Sequence, residues 1–245
     1  MLRAGLLKTS LTNYPGRLAA AVFLPGCNLR CPYCYNRELA LSDPAEGPAA
    51  DSDEEYFSEA DIFSHLEKRA SVLGALAVSG GEPLLSPFLE PLIRKAKSLH
   101  LAVKIDTNGT LPDRLYRLLE NEALRPDMVA MDIKTSPQKY SLLAPGGGDT
   151  AGRQVIRSIG VLRGFTEKNL CAAEYRTVLV PGLTDLADIR EIAALLPENA
   201  DWKLAVFSPG RCLNPAWNGK QPFTREETDR MVAAAQEKIP AAVLR

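Results

Sequence analysis

Six short apolar runs, separated by stretches with helical periodicity, constrain this chain more than any other feature. The runs are Leu18 to Pro25, Ala75 to Ser79, Leu101 to Ile105, Met128 to Ile133, Tyr175 to Val180 and Trp202 to Phe207. Ser58-Glu-Ala-Asp61 reads as a helix start, and Ile62, Phe63, Leu66, Ala70 and Leu73 share one helical face. Ser86-Pro87 opens a second helix with Leu89, Leu92, Ile93, Ala96 and Leu99 on one side. Pro112 to Ala123, Val155 to Leu162 and Thr184 to Leu196 are also helical, and Thr224-Arg-Glu-Glu227 matches a capping box that starts the last helix. Strands without polar alternation, each followed by a helix, predict a parallel sheet covered by helices. Six units are too few for an eight-fold closed barrel. The expected fold is therefore α/β, a partial (β/α)6 parallel barrel open on one side, in a single domain over residues 1–245. In such sheets the chemistry sits beyond the C-terminal ends of the strands. The polar motifs of this chain follow strands one to five.

The cysteines say what chemistry to expect there. Of five, Cys27, Cys31 and Cys34 fall within eight residues, while Cys171 and Cys212 stand alone. An odd, clustered set is not a disulfide framework. The spacing C-x3-C-x2-C in a loop over residues 26–36 suits one iron–sulfur cluster. Three thiolates on a four-iron cubane leave one iron open to a substrate. Zinc is the competing reading, but its usual fourth ligand would have to come from His65, His100, Cys171 or Cys212, none of which lies in a paired motif. The formal net charge of -1 excludes a polycationic nucleic-acid surface. No apolar run reaches the roughly 18–20 residues of a membrane span, and Met1 to Leu7 is too short for a signal core. A cytoplasmic protein is expected.

C-x3-C-x-aromatic-C, with Tyr33 as the aromatic, resembles the signature of the radical S-adenosylmethionine (SAM) superfamily. The resemblance implies one [4Fe-4S] cluster on Cys27, Cys31 and Cys34, with SAM chelated to the open iron and cleaved reductively to a 5'-deoxyadenosyl radical. No catalytic residue beyond cluster and SAM is implied. Ser79-Gly80-Gly81-Glu82-Pro83 looks like the family's GGE motif, whose peptide groups bind the SAM ammonium. Asp106-Thr-Asn-Gly109 and Met131-Asp132-Ile-Lys134 resemble the DTNG and D-x-K segments of glycyl-radical-enzyme activases. There Lys134 would contact the SAM carboxylate, and Asp106 and Asp132 would frame the site. Their counter-charge would be Lys134, the SAM sulfonium or a bound monovalent cation; a structural ion pair at the barrel rim is the other reading. Asn36 stands at the asparagine position of these activases and would bond SAM or the cluster loop. Arg176, a charge inside an apolar strand, needs an inward partner such as a SAM carboxylate or a pocket aspartate. Ser208 stands where some activases carry a SAM-contacting His. The eight-cysteine ferredoxin-like insertion of several activases is absent.

Gly5 to Gly16, leading through Phe23-Leu-Pro-Gly-Cys27, resembles short activases of anaerobic ribonucleoside-triphosphate reductase. The implied partner is that glycyl-radical enzyme, with reduced flavodoxin or ferredoxin as electron donor. A radical SAM enzyme acting on a small molecule or peptide, and a non-catalytic metal module, are the alternatives. From Glu38 to Glu67 there are ten acidic residues and no Lys or Arg. This insertion, centred on residues 38–60, reads as a solvated loop, or as a docking surface in which Asp51, Asp53, Glu54 and Glu55 seat a basic partner.

Overall fold

A strand buried on both faces must be apolar throughout, and Ala19–Leu24 is: Ala19, Ala20, Ala21, Val22 and Leu24 are all fully buried. The computed structural model describes residues 2–49, 55–145 and 150–245. In chain order the strands are β1 (Arg3–Ser10), β2 (Ala19–Leu24), β3 (Phe57–Ser58), β4 (Ala75–Gly80), β5 (Ala102–Thr107), β6 (Met128–Asp132), β7 (Ala172–Leu179), β8 (Trp202–Val206) and β9 (Val243–Leu244). The α-helices are α1 (Arg37–Leu41), α2 (Glu59–Arg69), α3 (Leu89–Ser98), α4 (Pro112–Glu120), α5 (Thr150–Thr166), α6 (Leu186–Leu195) and α7 (Arg225–Gln236). All six predicted strands are present, as β2 and β4 to β8. The additions are β1, β3 and β9. No helix of the described residues is long and apolar enough to cross a membrane.

The chain divides into two compact units. One comprises Met1–Asn28, Asn36–Thr107 and Arg117–Val129. Its strands run in the order β3-β1-β2-β4-β5. β2, β4 and β5 are parallel, whereas β1 is antiparallel to β2 and β3. Ser58 and Asp61 form the predicted capping box of α2, which buries Ile62 and Leu66. Helix α3 starts at Leu89, three residues later than Ser86. Pro91 then falls in the first turn, where its missing N–H has no intrahelical acceptor to lose. Leu89, Leu92, Ile93 and Ala96 face inward, and the three larger side chains together contribute roughly 5–9 kcal/mol of burial.

The second unit comprises Leu29–Tyr35, Asn108–Tyr116 and Ala130–Arg245. β7, β8 and β9 are parallel within it. Trp202 is fully buried and its indole N–H donates to Thr177 at 3.1 Å. α5 runs beyond the predicted Val155–Leu162 at both ends, and within it polar Ser158 is buried with a partner: its hydroxyl donates to the Gly109 carbonyl at 2.6 Å. Asp185 with Asp188 caps α6, and Thr224 with Glu227 caps α7 as expected.

The flanks of the acidic insertion are built into the first unit. Leu39 of α1 accepts the Gly26 N–H at 2.7 Å, Glu46 accepts the Arg3 N–H at 2.9 Å, and the Tyr56 hydroxyl donates to Glu38 at 3.2 Å. These bonds anchor the backbone of the flanks, while the side chains of Asp43, Glu46 and Glu55 are exposed, as the solvated reading expects. Asp51, Asp53 and Glu54, named for docking, lie outside the described residues.

Candidate functional site

The first unit carries Cys27, Asn36, Gly80, Gly81, Glu82 and Asp106. β2 and β4 are parallel with Leu24 beside Gly80, so the cysteine turn and the Gly-Gly turn leave neighbouring strands at the same end. The two turns then grip each other: Gly81 N–H donates to the Leu24 carbonyl at 2.8 Å and Glu82 N–H to the Gly26 carbonyl at 2.7 Å. Gly80 has φ +111, and a Cβ there would sit 2.4 Å from the Leu24 oxygen. A Cβ on Gly81 would lie 2.0 Å from the Gly26 oxygen and 3.4 Å from Cys27 Cβ. Close backbone approach is thus what both glycines provide: Gly80 lies against the end of β2, and Gly81 against the start of the cysteine loop. Asn36, where the loop returns, donates its side-chain amide to the Gly80 carbonyl at 3.0 Å. A ligand ammonium needs acceptors, and since the N–H groups of Gly81 and Glu82 are already engaged, carbonyl oxygens are the part of this turn suited to one.

Glu82 is fully buried and its carboxylate accepts from Leu84 N–H at 3.1 Å and from the Thr107 hydroxyl at 2.8 Å. It ties the Gly-Gly turn to the end of β5. Asp106, one residue before Thr107, meets the Lys104 ammonium at 2.5 Å. Sequence reading passed over both Lys104 and Thr107. Lys104 is two positions before Asp106 on a strand, hence on the same face, and that spacing was the available signal.

The second unit carries Cys31, Tyr33, Cys34, Asp132, Lys134 and Arg176. A segment after β8 holds the cysteine stretch by its backbone: Leu213 N–H donates to the Cys34 carbonyl and Asn214 N–H to the Pro32 carbonyl, both at 2.9 Å. The Tyr35 hydroxyl donates to the Ser208 carbonyl and accepts the Ser208 N–H at 3.1 Å. Ser208 therefore serves this strap through its backbone. The Tyr33 ring meets Phe207 edge-on, 6.4 Å between centroids. Its hydroxyl is buried with no hydrogen-bond partner. Burial above all, and then the neighbouring Cys31 thiol, raise its pKa well above the ordinary tyrosine value.

Asp132 closes β6 and is shared by two cations, Lys134 at 2.8 Å and Arg176 of β7 at 2.7 Å. Burial opposes its ionisation, yet Arg176 and then Lys134 outweigh it and hold the carboxyl far below the usual carboxylate range. Burial likewise opposes the Lys134 charge, and Asp132 outweighs it, so the ammonium persists well above its ordinary range. The Lys134 N–H donates to the buried Tyr140 hydroxyl at 2.9 Å. Arg176 thus finds the pocket aspartate that a strand-borne charge required.

Cys171 is buried and its thiol turns to the Ala172 carbonyl at 3.3 Å; Cys212, also buried, lies in the strap beside Leu213. None of the five cysteines is in a disulfide. Among the described residues no three His, Cys, Asp or Glu side chains converge as one metal ion would require. A cubane does not require that, since each thiolate takes its own iron. Reduced thiols on a glycine-built turn, with Lys134, Arg176 and an unspent Tyr33 hydroxyl in the unit that carries Cys31, fit an iron–sulfur cluster and an amino-acid carboxylate.

A family model described as the Radical SAM superfamily matches residues 21–196. A chain of Methanocaldococcus jannaschii, provisionally assigned as a glycyl-radical enzyme activating enzyme, is 30% identical over 246 residues, 100% of this chain and 95% of that one. The pyruvate formate-lyase-activating enzyme of Staphylococcus epidermidis is 30% identical over 70% of this chain and 65% of its own length. The 7-carboxy-7-deazaguanine synthase of Methanopyrus kandleri is 31% identical over about half of each, 50% and 51%. Among solved structures, Streptococcus suis SuiB bound to S-adenosylmethionine has the same fold at a TM-score of 0.62 and 17% identity, covering 91% of this chain and 48% of that one.

Proposed function

The chain belongs to the radical SAM superfamily, as an enzyme of the glycyl-radical-enzyme activating type, and we propose that its partner is an anaerobic ribonucleoside-triphosphate reductase. The observation that carries this reading is similarity along the whole chain to an activating-enzyme relative of nearly equal length. The finer choice of partner draws on the opening segment Gly5 to Gly16. Members of the family work with a [4Fe-4S] cluster and SAM. Bound here, the reduced cluster would supply one electron to SAM, cleaving a sulfonium S–C bond to give methionine and a 5'-deoxyadenosyl radical that takes a hydrogen atom from a glycine Cα of the partner.

This chain's residues would hold and orient those groups. Cys27, Cys31 and Cys34 are the proposed thiolate ligands. Gly80 and Gly81 set Cys27 through the shared backbone bonds, and Asn36 locks the returning end of the loop. Lys134, with Arg176 and Asp132 behind it, would receive the SAM carboxylate, and the Tyr33 hydroxyl would gain its missing partner. Glu82 acts at one remove, by fixing the turn through Thr107. Reduced flavodoxin or ferredoxin is the proposed electron donor, in a reducing cytoplasm where five thiols stay unpaired with one another.

The test is anaerobic reconstitution with iron and sulfide, then reduction with SAM and the reductase. Formation of 5'-deoxyadenosine together with a glycyl-type paramagnetic doublet on the reductase supports the proposal. Without the doublet, 5'-deoxyadenosine would leave the superfamily chemistry standing and refute the partner. A small-molecule substrate is the second reading, favoured by the match to the deazaguanine synthase over half of the chain; steady 5'-deoxyadenosine formation driven by a small molecule alone would select it.

A further inference from the structure

The ammonium of Lys104 is nearly excluded from water, its side chain 5% exposed, and it lies 2.5 Å from the Asp106 carboxylate, itself 14% exposed. Burying an ammonium between the fully buried Val103 and Ile105 is costly unless the charge is paired. Positions i and i+2 of β5 put both groups on one face, so the pair is set by the strand and needs no loop to close over it.

We propose that Lys104 is a built-in cation that supplies the fixed counter-charge of Asp106, so that this site works without an exchangeable monovalent ion. A free sodium or potassium ion must be stripped of water and recaptured whenever it leaves. A tethered ammonium with three donors is always present and neutralises the same carboxylate oxygen. Asp106 would then be held in one orientation at the end of β5, where Thr107 is already fixed to Glu82. Lys104 is a positioning residue in this scheme and touches no substrate. The role of Asp106 beside SAM rests on the activase reading; the charge pair does not.

The experiment is thermal melting of the full chain without cluster, in sodium, potassium and tetramethylammonium chloride at one ionic strength. The wild type should melt at the same temperature in all three. Lys104→Met, which keeps the length and removes the charge, should melt on the order of 10 °C lower in tetramethylammonium. Sodium or potassium should restore several of those degrees. The double variant Lys104→Met/Asp106→Asn, with both charges gone, should show no preference among the salts. A wild type stabilised by sodium or potassium over tetramethylammonium would overturn the proposal, as would a Lys104→Met chain indifferent to the cation. If Lys104→Met alone does not fold, the wild type and the double variant carry the test, and a salt preference in either overturns it. Calorimetric SAM titration of the cluster-loaded wild type is run beside it. Failure to bind SAM there counts against the activase reading and leaves the charge pair as measured.

Discussion

Arg176, in the middle of β7, reaches the Asp132 carboxylate at the end of β6 with a 2.7 Å hydrogen bond, and Lys134 approaches the same carboxylate at 2.8 Å. One anion thereby holds two cations in place. The sharing gives the pair a pH signature with a definite sign.

Asp132→Asn should destabilise the chain by about 2–4 kcal/mol at neutral pH, because two largely buried cations lose their common anion. The folded carboxyl is depressed, so its contribution is complete above the unfolded pKa of about 3.9 and fades as pH falls through the lower folded value. Lys134 is shifted the other way, and its contribution holds below about 10.4 and fades as pH rises through the folded value. Denaturant melts of both proteins should differ by a constant amount from roughly pH 5 to 9 and converge in stronger acid. Convergence near neutrality would contradict the assigned ion pair.

Gly81→Ala should cost cluster occupancy more than fold. The new methyl would stand 2.0 Å from the Gly26 oxygen and must push the cysteine turn aside, at an overpacking cost of about 1–3 kcal/mol. Circular dichroism should stay close to wild type while iron per chain after reconstitution falls. Full iron loading would mean the turn has slack that this geometry denies.

Replacing Cys27, Cys31 or Cys34 by Ala should abolish cluster absorbance and SAM cleavage. Cys171→Ala and Cys212→Ala should keep both, since one thiol is spent on Ala172 and the other is buried in the strap. Equal loss of absorbance in the Cys212 variant would move the ligand assignment.

Tyr33→Phe separates an idle hydroxyl from a waiting one. The group is buried without a partner, so its removal should leave the cluster-free chain unchanged or more stable by about 1 kcal/mol. SAM affinity of the loaded protein should fall at the same time. A destabilised cluster-free variant with unaltered affinity would sink the proposed contact.

β2 and β4 to β8 were legible because each is built on a short apolar run, unbroken by charge in β2 and β4 and interrupted by single charged residues in β5, β7 and β8. β1 was not, because its Arg3-Ala-Gly-Leu-Leu-Lys-Thr-Ser run buries only Ala4 and Ser10 and has three exposed residues in a row; it was read only as a motif. Asn36 was singled out by position, but nothing local says that its amide would close on Gly80, since that depends on β2 and β4 lying side by side. Glu82 was legible as a motif residue and not as a buried clamp, because Thr107 lies on another strand. Lys104 was hidden by the run that contains it. One lysine among apolar neighbours lowers the pattern only slightly, and its meaning lies in the aspartate two positions on.

The strap that fastens the cysteine stretch joins Tyr35 to Ser208 across 173 positions of chain. In the order of synthesis the thiols precede the segment that seats them by that whole interval. At roughly 5–20 residues per second, a ribosome needs on the order of ten seconds or longer to cover that interval. Through that time Cys31 and Cys34 exist without their backbone holder. Iron loading of the proposed ligands is then expected only after that segment has been made, and a nascent chain stalled before β8 would leave behind thiols open to oxidants and stray metals.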